Sequence, residues 1–255
     1  MPARRGLPGL IRSLKSLPNA IVFLSVPDDA VSTVAGKLAE AGARIPETVA
    51  FVHLSGALQL NALEPLRARH SVGSFHPLQS FPEQRPPSSL RGIVVAVDAS
   101  TTALRRRLAG LARALGAKPR HVEDSQRALY HAAAVFASNY IDVMLAKAVE
   151  LLREAGWSER EAIEGVVPLA DGVLASVRAR GPVAALTGPV RRGDVNTVAR
   201  HLATLRRAPV AHLYRMLGLI ALEIAVEAGL EPAAAERMHR ALTQKAAATR
   251  RRRRP

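Results

Sequence analysis

The stretch AIVFLSVPDD, residues 20–29, decides the fold of this chain. Its apolar run is typical of a strand buried on both faces of a parallel sheet, and Pro27 ends that run. Asp28 or Asp29 then caps a helix, whose apolar residues recur at helical spacing up to Gly42. The stretch therefore predicts a strand, a turn and a helix in that order.

The same pattern recurs through the first half of the chain. Further strands are predicted at residues 48–54, 71–75, 92–97 and 118–122, with an amphipathic helix over residues 101–115. A loop rich in proline separates the third strand from the fourth. Alternation of strands and helices is typical of an open α/β sheet, so we expect a parallel sheet here.

The second half of the chain is predicted to be all helical. One long helix is expected over residues 124–155, and further helices over residues 158–180, 195–205, 210–228 and 232–248. Gly181-Pro182 and Gly188-Pro189 are predicted to interrupt them. The sequence thus predicts an α/β domain at 1–123, a helical domain at 124–249 and a basic tail at 250–255.

Composition excludes several classes of protein. The 255 residues contain no cysteine, which rules out disulfides, thiolate zinc sites and iron–sulfur clusters, and no metal site is predicted. The apolar segment 216–226 is too short to span a membrane and is interrupted by Glu223. No apolar run reaches the roughly 20 residues that a membrane span needs. The start of the chain lacks the pattern of a signal peptide. We therefore expect a soluble, cytoplasmic protein without a membrane partner.

The net charge of +15 is weak evidence for nucleic-acid binding. Five of these charges belong to Arg250–Arg254 alone, and aromatic residues, on which bases could stack, make up 4% of the chain. The other arginines considered for contact with nucleic acid are Arg4, Arg5 and Arg105–Arg107. The last three are consecutive in a predicted helix, so they point in different directions and cannot all share one basic face. Nucleic acid is therefore not the expected partner.

Histidines and small residues follow several predicted strands. In a parallel sheet, ligands bind beyond the carboxyl ends of the strands. The junctions that end there are Val26-Pro27-Asp28, His53-Leu54-Ser55-Gly56, Ser74-Phe75-His76-Pro77 and, more weakly, Asp98-Ala99-Ser100. Two histidines at such junctions could line one crevice, or each polar residue could simply cap a turn.

The predicted long helix also carries polar residues, and His131 and Asn139 stand eight positions apart. Eight residues of a helix correspond to about 80° around its axis, so both side chains could face one cleft. An interface or solvent-exposed face is the alternative. The loop 185–194 combines a tight turn, two arginines and an Asp that can cap the next helix, and it could equally be a simple connector.

Five sequence motifs in fixed order resemble those of one protein family. The family comprises bacterial two-domain proteins with a Rossmann-like N-terminal half and an all-helical C-terminal domain of unknown function. It is similar to deazaflavin-dependent NADP reductases, pyrroline-5-carboxylate reductases and the 6-phosphogluconate dehydrogenase group. The motifs are FLSVPDD (23–29), HLSGA (53–57), SFHPLQSF (74–81), ALYHA (128–132) with ASNY (137–140), and ALTGPV (185–190) with RGD (192–194).

The resemblance implies an oxidoreductase with a nicotinamide dinucleotide, NADP or NAD, at the edge of the sheet. It implies a small carbonyl or imine substrate between the sheet and the helices, and a homodimer built through the helical domain. The residues it places beside the cofactor are Val26, Pro27, His53, Ser55 and Gly56, and those it places in the substrate site are His76, Thr187 and Arg192.

The same resemblance brings His131 and Asn139 into the substrate cleft. Reduction of a carbonyl or imine needs a group that exchanges a proton near neutral pH, and histidine is suited to this role. We therefore predict His131 as the catalytic group and Asn139 as the residue that orients the substrate. His53 and His76 are the alternatives.

The chain departs from this family at its beginning. Family members begin with a strand followed by a G-x-G-x-x-G loop that holds the pyrophosphate, whereas only Gly6 and Gly9 precede the first strand here. We therefore expect an incomplete Rossmann-like sheet that lacks its first β-α-β unit and leaves one edge and an apolar face uncovered.

Three hypotheses follow from the sequence. The first is an NAD(P)-dependent oxidoreductase whose native polypeptide begins further upstream. The second is a cofactor-free dimeric interaction protein derived from a dehydrogenase frame. The third is a nucleic-acid-associated protein that uses its arginines, for which a solvated basic surface is the simpler explanation.

Overall fold

The computed structural model describes residues 6–40, 44–81, 83–205 and 207–244. Arg4, Arg5 and the tail Arg250–Arg254 lie outside the described residues. The chain divides into two compact units, one up to residue 144 and one from residue 145. The first unit thus contains the predicted α/β domain and continues beyond residue 123.

A five-stranded sheet forms the centre of the first unit. Its strands are adjacent in chain order. They are β1 (Ile21–Leu24), β2 (Ala50–His53), β3 (Val72–Pro77), β4 (Val94–Ala99) and β5 (Lys118–His121). The sheet is mostly parallel, which confirms the predicted α/β class, and β1 is its edge strand in the described part of the chain.

One strand pair differs from the all-parallel prediction, because β4 is antiparallel to β3. Ala99 of β4 faces Gly73 near the start of β3, so the carboxyl end of β4 lies at the opposite edge from the carboxyl end of β3. Among the described residues from Leu78 to Ile93, between the two strands, no α-helix is present that could form a parallel crossover. The chain therefore returns directly beside β3.

Helices cover both faces of this sheet. They are α1 (Leu7–Leu14), α2 (Asp28–Glu40), the short α3 (Glu64–Arg67) and α4 (Thr102–Ala114). Alternate residues of β2 face opposite layers, since Phe51 packs in the core that includes α1 and α2 while Val52 packs in the core that includes α4. Within these three layers, the parallel strands β2 and β3 end at the same edge of the sheet.

Two helices, α5 (Arg127–Ala137) and α6 (Asn139–Glu154), replace the single helix predicted over residues 124–155. The break lies at Ser138, whose backbone angles are φ −131° and ψ −73°. Its hydroxyl donates to the carbonyl of Ala134 at 2.8 Å and thus competes with the helical hydrogen bonds. The apolar pattern continues through this position, so it did not reveal the break.

The second unit is helical, as the sequence predicts. Its complete helices are α7 (Glu159–Ala185), α8 (Val195–Thr204), α9 (Ala208–Glu227) and α10 (Pro232–Thr243). The predicted interruption at Gly181 is present, with φ at 79° inside α7. A core of buried side chains joins the last three helices, and it includes Val198, Leu222, Met238 and Leu242.

Two helical stretches are long and apolar enough to cross a membrane by length and composition alone, Asp124–Glu154 and Ala208–Glu227. This corrects the prediction that no segment reaches that length, because the prediction required an uninterrupted apolar run. Core helices of soluble proteins pass the same test, and the first stretch is broken at Ser138. The finding is weak evidence for a membrane.

Candidate functional site

The carboxyl ends of β2 and β3 bring the predicted histidine junctions side by side. His53 ends β2 and pairs in register with Ser74 of β3, two residues before His76. Because the strands are parallel, the turn after His53 lies next to His76. Two of the four predicted junctions therefore meet at one edge of the sheet.

Gly56 lies in this turn with the rings of His76 and His131 against it. A Cβ atom on Gly56 would lie 2.8 Å from Cε1 and Nε2 of His76 and 2.9 Å from Nδ1 of His131. The two ring centroids are 6.4 Å apart. Only a residue without a side chain allows both rings to approach the backbone so closely. Gly56 therefore lies between the imidazole of His76 on β3 and that of His131 on α5.

Arg127, at the start of α5, anchors the helix that carries His131. Its side chain is fully buried. Nη1 donates to the carbonyl oxygen of Ser55 at 3.2 Å, and Nη2 donates to the hydroxyl of Ser74. Nε lies 3.8 Å from Oδ1 of Asp124, the same oxygen that accepts the backbone N–H of Leu60 at 2.7 Å. The first turn of α5 is thus tied to the ends of both β2 and β3.

The sequence analysis missed Arg127. A buried arginine is rare, because charged side chains are almost never fully buried unless they are paired. One sequence signal was present, since Arg127 stands four residues before His131 and therefore on the same face of the helix. That spacing could have linked it to the site.

His76 is hydrogen-bonded to Tyr130, which belongs to the ALYHA motif at residues 128–132. Nδ1 of His76 lies 2.8 Å from the hydroxyl of Tyr130, and the two rings meet edge to face. Burial first, and then the proximity of His131 and of the Arg127 guanidinium, lowers the pKa of His76 to about 4. Burial raises the pKa of Tyr130. At neutral pH the pair is therefore an uncharged imidazole with a protonated phenol.

His53 lies in the interior, with an exposed fraction of 0%. Neither ring nitrogen has a hydrogen-bond partner among the described residues. Burial, followed by the positive charge of Arg127, lowers the pKa of His53 to about 4. The ring is therefore neutral and inaccessible to a ligand. A ligand at this end of β2 would contact the turn that follows His53.

Ser55 joins the first two predicted junctions. Its hydroxyl donates to Oδ2 of Asp28 at 2.6 Å, at the start of α2, and accepts the backbone N–H groups of Ala57 and Leu58. Val26, which follows β1, is 37% exposed. The turn after β2 and the start of α2 are thus held together, with an apolar side chain exposed after β1.

A cavity of about 520 Å³ opens beside these residues. It brings together His76, Tyr130, His131 and Asn139. Asn139 therefore lies in the same cavity as His131, although the break at Ser138 means that the single-helix geometry behind that prediction was wrong. The amide oxygen of Asn139 accepts the hydroxyl of Ser138 at 2.9 Å.

The remaining predicted positions belong to the second unit or to β4. Thr187 and Arg192 belong to the second unit, where they line a cavity of about 560 Å³ together with Arg191, which donates to the carbonyl of Ala228. Asp98 was predicted, more weakly, at the same crevice as His53. It lies instead toward the opposite edge, 3.0 Å from Nε2 of His121, because β4 runs antiparallel.

Two of the three consecutive arginines of α4 have partners within the molecule. Arg105 lies 3.2 Å from Nε2 of His121, and Arg107 donates to the carbonyl of Asn19. Among the described residues, no group of three or more His, Asp or Glu side chains is arranged to hold a metal ion.

This sheet, with its histidines at the strand ends and a helical region after it, defines a Rossmann-like α/β protein with a helical C-terminal region. Residues 93–221 match the sequence profile of a domain of unknown function, DUF2520. The match spans just over half of the chain, which therefore belongs to the DUF2520 family.

Solved structures share the fold. A candidate NADP oxidoreductase from Bacteroides fragilis is 29% identical, with a TM-score of 0.65 over 80% of this chain and 74% of that one. A protein from Thermotoga maritima is 24% identical, with a TM-score of 0.67 over 82% and 78%. An NADP-bound pyrroline carboxylate reductase from Plasmodium falciparum is 11% identical, with a TM-score of 0.51 over 90% and 80%, and shows the fold alone. No protein with a curated description matches significantly.

Proposed function

We propose that this protein is an NAD(P)-dependent oxidoreductase that reduces a small carbonyl or imine compound in the cytoplasm. The observation that carries the proposal is the pair of imidazoles, His76 and His131, against Gly56 at the carboxyl edge of the sheet. Ligands of Rossmann-like sheets bind at this edge. The likeness to the candidate NADP oxidoreductase of Bacteroides fragilis supports the same class of reaction.

The residues at the strand ends fit the nicotinamide end of such a cofactor. Gly56 has no side chain, Val26 exposes an apolar surface after β1, and Pro27 follows it. Together with Ser55 and the turn after His53, these residues would hold a flat ring. The cofactor supplies a hydride when it is bound. The sequence given contains no G-x-G-x-x-G, so the fit concerns the nicotinamide and not the pyrophosphate.

Within the site, His131 donates the proton that the substrate oxygen or nitrogen needs on reduction, and Asn139 orients the substrate. Both line the cavity, and because Nδ1 of His131 is buried against Gly56, Nε2 is the ring nitrogen that can reach the substrate. His76 is the alternative donor, since its neutral ring is held by Tyr130.

Apolar side chains on the second unit favour a homodimer. Ile163, Val167, Leu174 and Val177 of α7 are all at least 38% exposed, and their spacing places them on one face of the helix. On α9, Ile220 is 50% exposed. A second copy of this chain presents the same apolar faces, and packing the two copies together would remove them from water.

Titration with NADPH and with NADH, followed by the fluorescence of the reduced nicotinamide, tests the proposal. We expect one of the two to bind, and His131→Gln to bind it equally well but lose at least a hundredfold in turnover with carbonyl substrates. His239→Gln, at an exposed position of α10, is the matched control and should retain full activity.

Failure of both nucleotides to bind a folded dimer, with this chain and also with a version extended upstream in frame, would reject the oxidoreductase. That result would favour the alternative, a cofactor-free interaction protein on a dehydrogenase frame. Equal turnover of His131→Gln and the unchanged protein would instead transfer the proton-donating role to His76, whose substitution by Gln would then abolish turnover.

A further inference from the structure

The cavity beside His76 and His131 is lined without charged side chains. None of the described residues that line it is an Asp, Glu, Lys or Arg. Besides Tyr130 and His131, α5 contributes apolar side chains to its wall, Ala133, Ala134, Val135 and Ala137. The polar side chains of the lining are amides, hydroxyls and imidazoles. A ligand in this cavity therefore finds hydrogen-bond partners but no fixed charge of opposite sign.

The nearest arginine does not change this conclusion. Arg127 has an exposed fraction of 0%, and its two terminal nitrogens donate to Ser55 and Ser74. Asp124 lies 3.8 Å from its Nε. The guanidinium group thus belongs to the connection between α5 and the sheet. It cannot form the bidentate contact with which arginine usually binds a carboxylate ligand.

From this lining we propose, on the basis of the function proposed above, that the substrate carries no charged group next to its carbonyl or imine carbon. A carboxylate there would lose its hydration on entering the cavity and gain no ion pair, which is a large cost. An alkyl group in the same place would pack against the alanines of α5. The site therefore selects a neutral, mostly apolar carbonyl compound over the corresponding oxoacid.

The His76–Tyr130 pair supplies the recognition of the oxygen. Tyr130 occupies Nδ1 of His76, so Nε2 is the ring nitrogen that remains to hydrogen-bond a ligand. In the tautomer in which the Tyr130 hydroxyl donates to Nδ1, the neutral His76 ring carries its proton on Nε2 and offers a donor without a counter-charge for an acid group. A carbonyl oxygen needs only such a donor, whereas a carboxylate needs compensation of its charge.

Two probes of equal chain length test the proposal. Hexan-2-one carries a methyl group on its carbonyl carbon, and 2-oxohexanoate carries a carboxylate in the same place. The two compounds are otherwise identical. Each is titrated into the full chain without nucleotide, and the ¹H–¹⁵N resonances of the His76 ring report binding. We expect hexan-2-one to bind at least tenfold more tightly. Equal or tighter binding of the oxoacid would overturn the proposal, and so would the absence of any shift with either probe.

A charge introduced into the wall should reverse the preference. Ala137 lines the cavity at an exposed position near the end of α5, so Ala137→Arg is compatible with folding. We expect this variant to bind 2-oxohexanoate at least tenfold more tightly than the unchanged protein does. Ala132→Arg adds the same charge to the same helix at an exposed position outside the lining and should leave both affinities unchanged.

The binding readout separates this proposal from the proposed function. If hexan-2-one binds preferentially but no nicotinamide nucleotide supports its reduction, the ligand class stands and the oxidoreductase fails. If a nucleotide supports reduction of the oxoacid and not of the ketone, the oxidoreductase stands and the ligand class fails.

Discussion

At the scale of single residues, the site depends on one position without a side chain and one buried charge. Gly56 leaves room for His76 and His131, and Arg127 fixes the helix that carries His131. Gly56 acts through packing and Arg127 through its hydrogen bonds to Ser55 and Ser74, so substitution of either should alter the geometry of the site.

Substitution of Gly56 tests the close approach of the two rings. Gly56→Ala places a Cβ within 3 Å of both imidazoles, so a ring or the turn must move, and we expect a loss of about 1–3 kcal/mol in the free energy of unfolding. Gly36→Ala is the matched control, because its Cβ meets no atom within 4 Å inside α2. It should stabilise the protein by up to about 1 kcal/mol. Urea denaturation measures both.

Arg127→Met tests the electrostatic effect of the buried guanidinium. Its positive charge is a secondary cause of the low pKa of both His53 and His76, after burial. Removing that charge should raise both pKa values, which ring NMR signals followed against pH would show. Arg113→Met, at an exposed position of α4, should leave them unchanged. Unaltered histidine pKa values in Arg127→Met would contradict the electrostatic account.

Burial of His53 also predicts how stability depends on pH. The folded pKa of about 4 lies below the ordinary histidine pKa of 6.5, so the unfolded chain binds more protons between these two pH values. The stabilisation is complete above pH 6.5 and is lost as the pH falls toward 4, by about 3 kcal/mol for this fully buried ring. Urea denaturation of His53→Leu at several pH values should show a shallower fall than the unchanged protein. An identical slope would count against this explanation.

At the scale of elements, local caps fix where the helices of the second unit begin. At the start of α7, the hydroxyl of Ser158 accepts the backbone N–H of Glu161, whose carboxylate accepts the N–H of Ser158 in return. Ser158→Ala should therefore cost about 1 kcal/mol in the free energy of unfolding. Ser32→Ala, at an exposed position within α2, should change it by less than about 0.5 kcal/mol. Thermal denaturation distinguishes the two.

At the scale of the whole molecule, the proposed homodimer can be tested on the exposed apolar faces of α7 and α9. Ile220→Lys would place a charge within the face assigned to the second copy, so we expect a shift from dimer to monomer in sedimentation velocity. Glu236→Lys, on the exposed surface of α10, should leave the dimer intact. A protein that is monomeric without any substitution would contradict the homodimer.

The sequence by itself determined which segments are strands and helices, and where the histidines stand among them. Periodicity and turn residues are local, so the α/β class, the helical second half, the interruption at Gly181 and the place of His53 and His76 at strand ends could all be predicted. The order of the five sequence motifs pointed to the family without any tertiary contact.

Only the tertiary structure decided the direction of β4, the burial of Arg127, the His76–Tyr130 hydrogen bond and the two rings against Gly56. Each of these depends on contacts between residues distant in the chain, which no local periodicity encodes. His131 and Asn139 show the difference well. Their shared cavity was predicted from a single straight helix, but it exists because α5 ends at Ser138 and its first turn is held to the sheet by Arg127.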